Sequence, residues 1–356
     1  MRVLLIEPST YNINAQVHPA GSPEPAELEL AKDRVYNNTL QTSPTISLTL
    51  PYLAALMPAD IEVTIAYDTC QYIEEEYDLK SFDLVGVTCT GGPTGQMPRA
   101  LEWAKTLKGL AVPSVVGGPA TMYDEHRLLP SLVQAFDAVV VGDAEPLLPN
   151  LLHDVCHSSA KKIYEYNGFL PIRDIPVPRF DLVNLELFTP PHVFPAMTSR
   201  GCPRSCTYCS EVLYSPWRFR PVDEVISELK LYQTKFGADK IVFRDDDFLV
   251  HPKRSREILT KMLPLGLEWA CQTDLHLAQH LDIVQLAVDA GLRAVCFGLE
   301  SIIAENRKDI GKNFFTLDGI SELLLLLNEK GIETQISIIF GLDHDTLDVF
   351  DETVEF

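Results

Sequence analysis

Thr198-Ser199-Arg200-Gly201-Cys202-Pro203-Arg204-Ser205-Cys206-Thr207-Tyr208-Cys209 decides how the second half of this chain reads. Three cysteines stand there in a C-x3-C-x2-C spacing. The apolar run Val193 to Met197 before them reads as a buried strand, and a helical pattern begins at Val222. The cysteines therefore fall on the loop at the C-terminal end of a strand, the edge where α/β proteins place their chemistry. Three thiolates on one short loop suit a [4Fe–4S] cluster with one iron left open, because cysteine thiolates are the usual ligands. A structural zinc site wants four ligands, and no fourth Cys or His lies close by in sequence. Eight cysteines in 356 residues, with no secretion signal, do not suggest a disulfide framework. Three unrelated buried thiols are the plainer alternative, since free Cys is commonly buried. Gly201, Pro203 and Tyr208 argue instead for a specialised loop.

Outward from this loop, strands and helices alternate. Pro221-Val222-Asp223-Glu224 opens a helix, its acids suited to the positive end of the helix dipole. Lys240 to Arg244 reads as a second strand ending in Asp245-Asp246-Asp247. Leu267 to Gln272 reads as a third, Ala294 to Leu299 as a fourth ending in Glu300-Ser301, and Thr334 to Phe340 as a fifth. Leu317 to Lys330 is the clearest helix, with Thr316 as N-cap and Gly331 closing it. The Asp245-Asp246-Asp247 run also suits a divalent metal or a solvated turn.

The first half alternates too. Val3 to Ile6, Ile61 to Tyr67, Leu84 to Cys89, Ser114 to Val116 and Ala138 to Val141 read as buried parallel strands. Ser47 to Met57 and Met97 to Lys108 read as helices, and residues 8–44 as a long loop. This pattern predicts a doubly wound sheet over residues 1–156. Three strand ends carry small or hydroxyl residues: Thr88-Cys89-Thr90 followed by Gly91-Gly92-Pro93-Thr94, Gly117-Gly118-Pro119, and Gly142-Asp143-Ala144-Glu145. Such ends let backbone approach a ligand closely; as simple turns they are equally ordinary. No G-x-G-x-x-G follows the first strand, so a dinucleotide fingerprint is absent. The Pro-containing stretch 157–192 reads as a linker, or as a strap between domains. Cys70, Cys89, Cys156, Cys271 and Cys296 read as core or incidental.

The formal net charge of −21 and the lack of Lys/Arg runs disfavour a nucleic-acid partner. No run of 18 apolar residues occurs, so no membrane span is expected. The expected compartment is the cytoplasm, where thiols stay reduced.

The cysteine spacing, with Tyr208 at its aromatic position, resembles the radical S-adenosylmethionine (SAM) superfamily. The resemblance implies that Cys202, Cys206 and Cys209 hold three irons of the cluster and SAM chelates the fourth. It implies reductive cleavage of SAM to methionine and a 5′-deoxyadenosyl radical, with an electron donor such as flavodoxin or ferredoxin. It implies a partial (β/α) barrel over residues 193–356, of which five strands are legible, so the barrel is expected to be truncated after strand five. By the same resemblance Asp246 and Asp247 lie where relatives contact the SAM amino group. Gln272, Glu300 and Ser337 lie where others touch its carboxylate, ribose or adenine.

The first half resembles the cobalamin-binding domain that precedes many radical SAM modules. Thr88 and Thr90, Gly117 and Gly118, and Gly142 and Glu145 match the segments that embrace the cobalamin nucleotide tail. The D-x-H-x-x-G motif is absent, and His18 lacks its Asp and Gly partners. The function implied is cobalamin-dependent methyl transfer to an unactivated carbon, or phosphorus, of a small biosynthetic intermediate. Radical rearrangement or oxidation without methylation, a tRNA methylthiotransferase, and a non-catalytic cofactor-binding sensor are the alternatives.

Overall fold

The structure is a computed structural model that describes residues 1–9, 46–90, 95–122, 128–188, 190–210 and 216–356. His18, the loop beyond Ser9 and Gly91-Gly92-Pro93-Thr94 lie outside the described residues. The chain forms two compact units. One comprises Met1–Leu170 and Pro176–Pro190, the other Pro171–Ile175 and Pro191–Phe356.

The first unit is built on a six-stranded sheet of β1 (Arg2–Glu7), β2 (Glu62–Tyr67), β3 (Leu84–Thr88), β4 (Ser114–Gly117), β5 (Ala138–Val141) and β6 (Ile163–Glu165). Their order is β2-β1-β3-β4-β5-β6, every pair parallel. The all-apolar core of β1 explains its central place: Val3, Leu4, Leu5 and Ile6 are all buried, as a strand covered on both faces requires. Val85, Val87, Val116 and Val139 continue that core against Trp103 and Leu107 of the helix Met97–Leu110. The chain leaves β1 for β2 on one side and reaches β3 on the other. The C-terminal ends of β1 and β3 therefore flank a topological switch point, where doubly wound sheets bind ligands.

Residues 157–192 do more than link. Ile163–Glu165 adds the sixth strand by pairing with β5, and Tyr67 packs edge-on to Phe188 with ring centroids 5.2 Å apart. All but 171–175 and the last two residues of that stretch belong to the first unit. A three-residue strand whose middle residue alone is buried leaves little periodicity to read. The helices Leu128–Ala135 and Leu148–Cys156 also belong to this unit.

The second unit is a five-stranded parallel sheet in sequential order: β7 (Val193–Ala196), β10 (Lys240–Phe243), β11 (Glu268–Thr273), β12 (Leu292–Glu300) and β13 (Glu333–Ile338). A small antiparallel ribbon, β8 (Ser199–Arg200) with β9 (Arg218–Phe219), flanks the cysteine loop. The helix Val222–Phe236 starts beside Pro221 with two acids in its first turn and stops at Gly237. The helix Leu317–Glu329 is capped by Thr316 Oγ1, which accepts from the Gly319 amide at 3.3 Å. No helix among the described residues is long and apolar enough to cross a membrane.

Candidate functional site

The cysteine loop leaves the C-terminal end of β7, as its sequence suggested. Asp245, at the end of β10, holds that exit in place. Its carboxylate is buried and accepts from Thr198 N at 2.9 Å, Thr198 Oγ1 at 2.6 Å and Ser199 Oγ at 2.5 Å. From the other side Arg220 donates to Met197 O at 2.9 Å while paired with the buried Glu228 at 2.7 Å. Arg254 donates to Thr198 O and Arg220 O. The backbone before Cys202 is thus braced by buried charge on both sides. Asp245 is committed to this task and Asp247 to a different neighbour, which disfavours the acidic run as a metal site.

Cys206 is buried, and Cys202 and Cys209 are partly buried. None of the eight cysteines forms a disulfide; Cys89 and Cys271 are buried in the core, and Cys156 is exposed. Burial pushes the Cys202 thiol up to about 12, and the carboxylates of Asp247, Asp246 and Asp274 push it the same way. Burial also raises the Cys206 thiol, against a pull downward from Lys312. Metal loading must therefore displace protons from these thiols. No three His, Cys, Asp or Glu side chains among the described residues converge on a point that would hold a single ion. In a [4Fe–4S] cluster each cysteine thiolate takes a different iron, and one short loop carries three of them here. The donor set thus suits a [4Fe–4S] cluster.

Polar groups line the neighbouring strand ends. Asp247 is buried; its Oδ1 accepts from Thr273 Oγ1 at 2.8 Å and Asp274 N at 3.2 Å, and its Oδ2 accepts no hydrogen bond from the described residues. Arg204 Nε stands 4.0 Å from that Oδ2 and 2.5 Å from Asp274 Oδ2, with its guanidinium 4.3 Å from the Phe314 ring. Burial and the Asp274 carboxylate hold the Asp247 carboxyl well above the usual range. Asp274 goes the other way: burial opposes its charge, but His276 and Arg204 hold it at about 2. Glu300 is buried, accepts from Lys312 Nζ at 2.9 Å and shares a hydrogen bond with Tyr208 of the cysteine loop. Gln272 is exposed and donates to the Asp246 carbonyl at 3.3 Å, and Ser337 is exposed and bonded to the Cys296 thiol. Arg204, Asp274, His276 and Lys312 carried no signal in the sequence reading. Their partners lie 12 to 70 residues away or, for Asp274 and His276, within an ordinary-looking turn.

At the edge of the first sheet, Thr88 sits directly beside Gly117 in the β3/β4 register. The hydroxyl and glycine ends are therefore brought together. Thr88 Oγ1 is buried and has no hydrogen-bond partner among the described residues, and the same holds for Tyr67 Oη at the end of β2. A buried hydroxyl without a partner costs free energy unless a ligand supplies one. This edge therefore fits a polar ligand tail. Two glycines have an internal reason as well. Gly118 (φ 110°) and Gly142 (φ 87°) adopt left-handed backbone, and a Cβ at Gly118 would stand 2.8 Å from the Cys89 carbonyl. At Gly142 it would collide with the Tyr166 carbonyl. Thr90 is exposed, and Glu145 accepts from Tyr52 Oη at 2.8 Å.

Behind this edge lie residues the sequence reading missed. Gln96 donates to Pro8 O at 3.0 Å and accepts from Thr90 N at 3.0 Å, joining the ends of β1 and β3 across the switch point. Asp68 pairs through both oxygens with Arg99, at 2.7 and 2.9 Å, and accepts from Ser9 N and Oγ. Burial alone would raise the Asp68 carboxyl; Arg99 and Ser9 hold it below the ordinary range.

Comparison with known proteins agrees with both halves of this architecture. The family model of the B12 binding domain matches residues 41–152, and that of the radical SAM superfamily matches residues 197–356. The chain is 25% identical over 291 residues to bacteriochlorophyllide d C-12(1)-methyltransferase of Chlorobaculum tepidum, covering 78% of this chain and 61% of that protein. It is 26% identical over 337 residues to an uncharacterized methyltransferase of Pyrococcus horikoshii, covering 87% of this chain and 72% of that one. The fold superposes, with a TM-score of 0.69 and 17% identity, on the radical SAM methyltransferase TsrM of Kitasatospora setae with cobalamin and a [4Fe–4S] cluster bound. That match covers 99% of this chain and 72% of the other.

A B12-type sheet followed by a radical SAM sheet defines the class. The chain joins a B12 binding domain to a radical SAM superfamily domain, a pairing whose cofactors are a [4Fe–4S] cluster, SAM and cobalamin. It spans just under two thirds of the bacteriochlorophyllide methyltransferase.

Proposed function

We propose that this chain carries the catalytic core of a cobalamin-dependent radical SAM methyltransferase. The acceptor is an unactivated carbon, or a phosphorus, of a small biosynthetic intermediate, and the electron comes from a donor such as flavodoxin or ferredoxin. The observation that carries the reading is the loop of Cys202, Cys206 and Cys209 at the C-terminal end of β7, with buried carboxylates at the neighbouring strand ends. The similarity to two named methyltransferases supports methyl transfer as the outcome.

When bound, the cofactors supply one-electron reduction, radical generation and a methyl group, chemistry that no side chain here provides. The chain's own residues bind and orient. The three thiolates hold the cluster. Asp246, Asp247, Gln272, Glu300 and Ser337 are the candidates for contacts to SAM. Asp247 and Glu300 are the buried ones, and a buried polar group of this kind fixes a ligand's pose when a polar atom of the ligand meets it. Thr88, Thr90, Gly117, Gly118, Gly142 and Glu145 shape the edge proposed to receive cobalamin.

The test is anaerobic reconstitution with iron, sulfide and hydroxocobalamin, followed by an absorbance spectrum of the desalted protein. The expected result is cluster absorption together with a corrinoid band. SAM and dithionite should then yield 5′-deoxyadenosine. Iron content unchanged in the triple Cys202→Ala, Cys206→Ala, Cys209→Ala variant would overturn the reading, and a cluster without corrinoid would remove the cobalamin half of it.

A further inference from the structure

Lys312 lies outside every motif of the sequence, yet it is buried and sits against the cysteine loop. The turn that carries it follows the helix Ala304–Asp309 and is hydrogen-bonded to the loop directly, Thr207 N donating to Ile310 O at 3.2 Å. Lys312 Nζ donates to Gly298 O at 2.8 Å and to Glu300 Oε1 at 2.9 Å. Glu300 in turn holds the Tyr208 hydroxyl, one residue before Cys209. The pair occupies space that only glycine leaves open. A Cβ at Gly298 would stand 2.5 Å from Lys312 Nζ and fall onto Glu300 Oε1. Glu300 itself adopts a left-handed backbone, φ 67°, next to a register shift in the β12/β13 pairing. For a residue other than glycine that conformation is strained and must be held by its surroundings. The buried ion pair and the Tyr208 hydrogen bond do that.

The turn also packs on the loop at Gly311, where a Cβ would stand 3.4 Å from Ser205 O and 3.8 Å from Cys206 Cα. The buried Lys312 ammonium follows directly after that contact. Taking an electron onto a buried cluster is easier beside a positive charge, and charge and burial are among the levers by which a protein sets a cluster's potential. We propose, resting on the cluster reading above, that Lys312 is a positioning and tuning residue: it fixes Glu300 against the cysteine loop and keeps one positive charge beside Cys206 that eases one-electron reduction of the cluster.

The experiment is an EPR-monitored redox titration of the reconstituted protein, with dithionite as the electron source, and with iron and sulfide counted for each variant. Lys312→Met should retain its iron but show a reduced-to-oxidised ratio at fixed potential lower by about tenfold, roughly 59 mV for a one-electron couple. Glu300→Gln should shift the ratio the opposite way. The double variant should return close to wild type, a sign pattern that loss of packing would not give. Gly298→Ala, whose clash is with flexible side-chain ends, should shift the EPR line shape while leaving iron content unchanged. If Lys312→Met loses its iron, Glu300→Gln alone decides, and a potential equal to wild type overturns the proposal. Potentials indifferent to all four variants overturn it as well. Wild-type protein that takes up no cluster overturns the functional reading instead.

Discussion

The two sheets of this chain present their C-terminal edges in opposite chemical styles. In the first unit the edge is made of hydroxyls, amides and glycines: Ser9, Thr88, Gly117, Gly118 and Gly142. Its carboxylate Glu145 is engaged by Tyr52 Oη, and a further buried charge is closed into the Asp68–Arg99 pair behind the edge. In the second unit the edge itself is charged. Asp247, Asp274, Glu300, Arg204 and Lys312 crowd the ends of β10, β11 and β12 around the cysteine loop. The difference matches what each edge is proposed to hold. A large cofactor with a polar tail is gripped by shape and neutral hydrogen bonds. A cluster with a zwitterionic cosubstrate calls for fixed charges, which act strongly where water is excluded.

If charge in the first unit serves only to hold the scaffold, removing it should damage stability more than binding. Arg99→Met leaves the buried Asp68 carboxylate unpaired and should cost about 3–5 kcal/mol in urea unfolding. The pH dependence has a definite sign. Because the folded Asp68 carboxyl is held below its ordinary value, its contribution is present above the unfolded pKa of about 3.9 and is lost as pH falls through the lower folded value. Wild type should therefore lose stability faster than Arg99→Met as pH is lowered below about 4. Equal slopes in the two proteins would break the comparison. Gly142→Ala should come next, at about 3 kcal/mol, from left-handed strain combined with the clash on the Tyr166 carbonyl. Gln96→Leu should follow at about 1–2 kcal/mol, since it strips partners from Pro8 O and Thr90 N. It should also weaken corrinoid retention after desalting, because the two strand ends flanking the switch point lose their tie.

Much of this was legible in one dimension. Runs such as Val3-Leu4-Leu5-Ile6 and Ala138-Val139-Val140-Val141 can only be strands buried on both faces, and their punctuation by Gly, Pro and Asp marks the edge. The cysteine spacing was local and so fully visible. What escaped depends on distance along the chain. Asp68 meets Arg99 across 31 residues, Gln96 meets Pro8 across 88, and Arg204 meets Asp274 across 70. None of those residues looks unusual beside its own neighbours. β6 escaped for another reason. With Tyr164 buried between exposed Ile163 and Glu165, its alternation is too short to separate from a proline-rich strap.

The smallest effect on stability should be the most informative about function. Thr88 Oγ1 is buried at the end of β3 with no partner among the described residues, so its hydroxyl brings a desolvation cost and no hydrogen bond to offset it. Thr88→Val keeps the β-branched shape that suits a strand and removes the unpaired group. The protein without cofactor should be unchanged, or more stable by up to about 1 kcal/mol. If the edge serves only packing, nothing else should change. If the hydroxyl awaits a ligand, titration with hydroxocobalamin should show affinity lowered by about five- to tenfold, since one hydrogen bond is worth roughly 1 kcal/mol or somewhat more. A variant more stable alone and weaker toward the corrinoid would assign Thr88 to binding. A variant less stable alone with unaltered affinity would return it to the core of the sheet, and with it the claim that this edge grips its ligand through neutral hydrogen bonds.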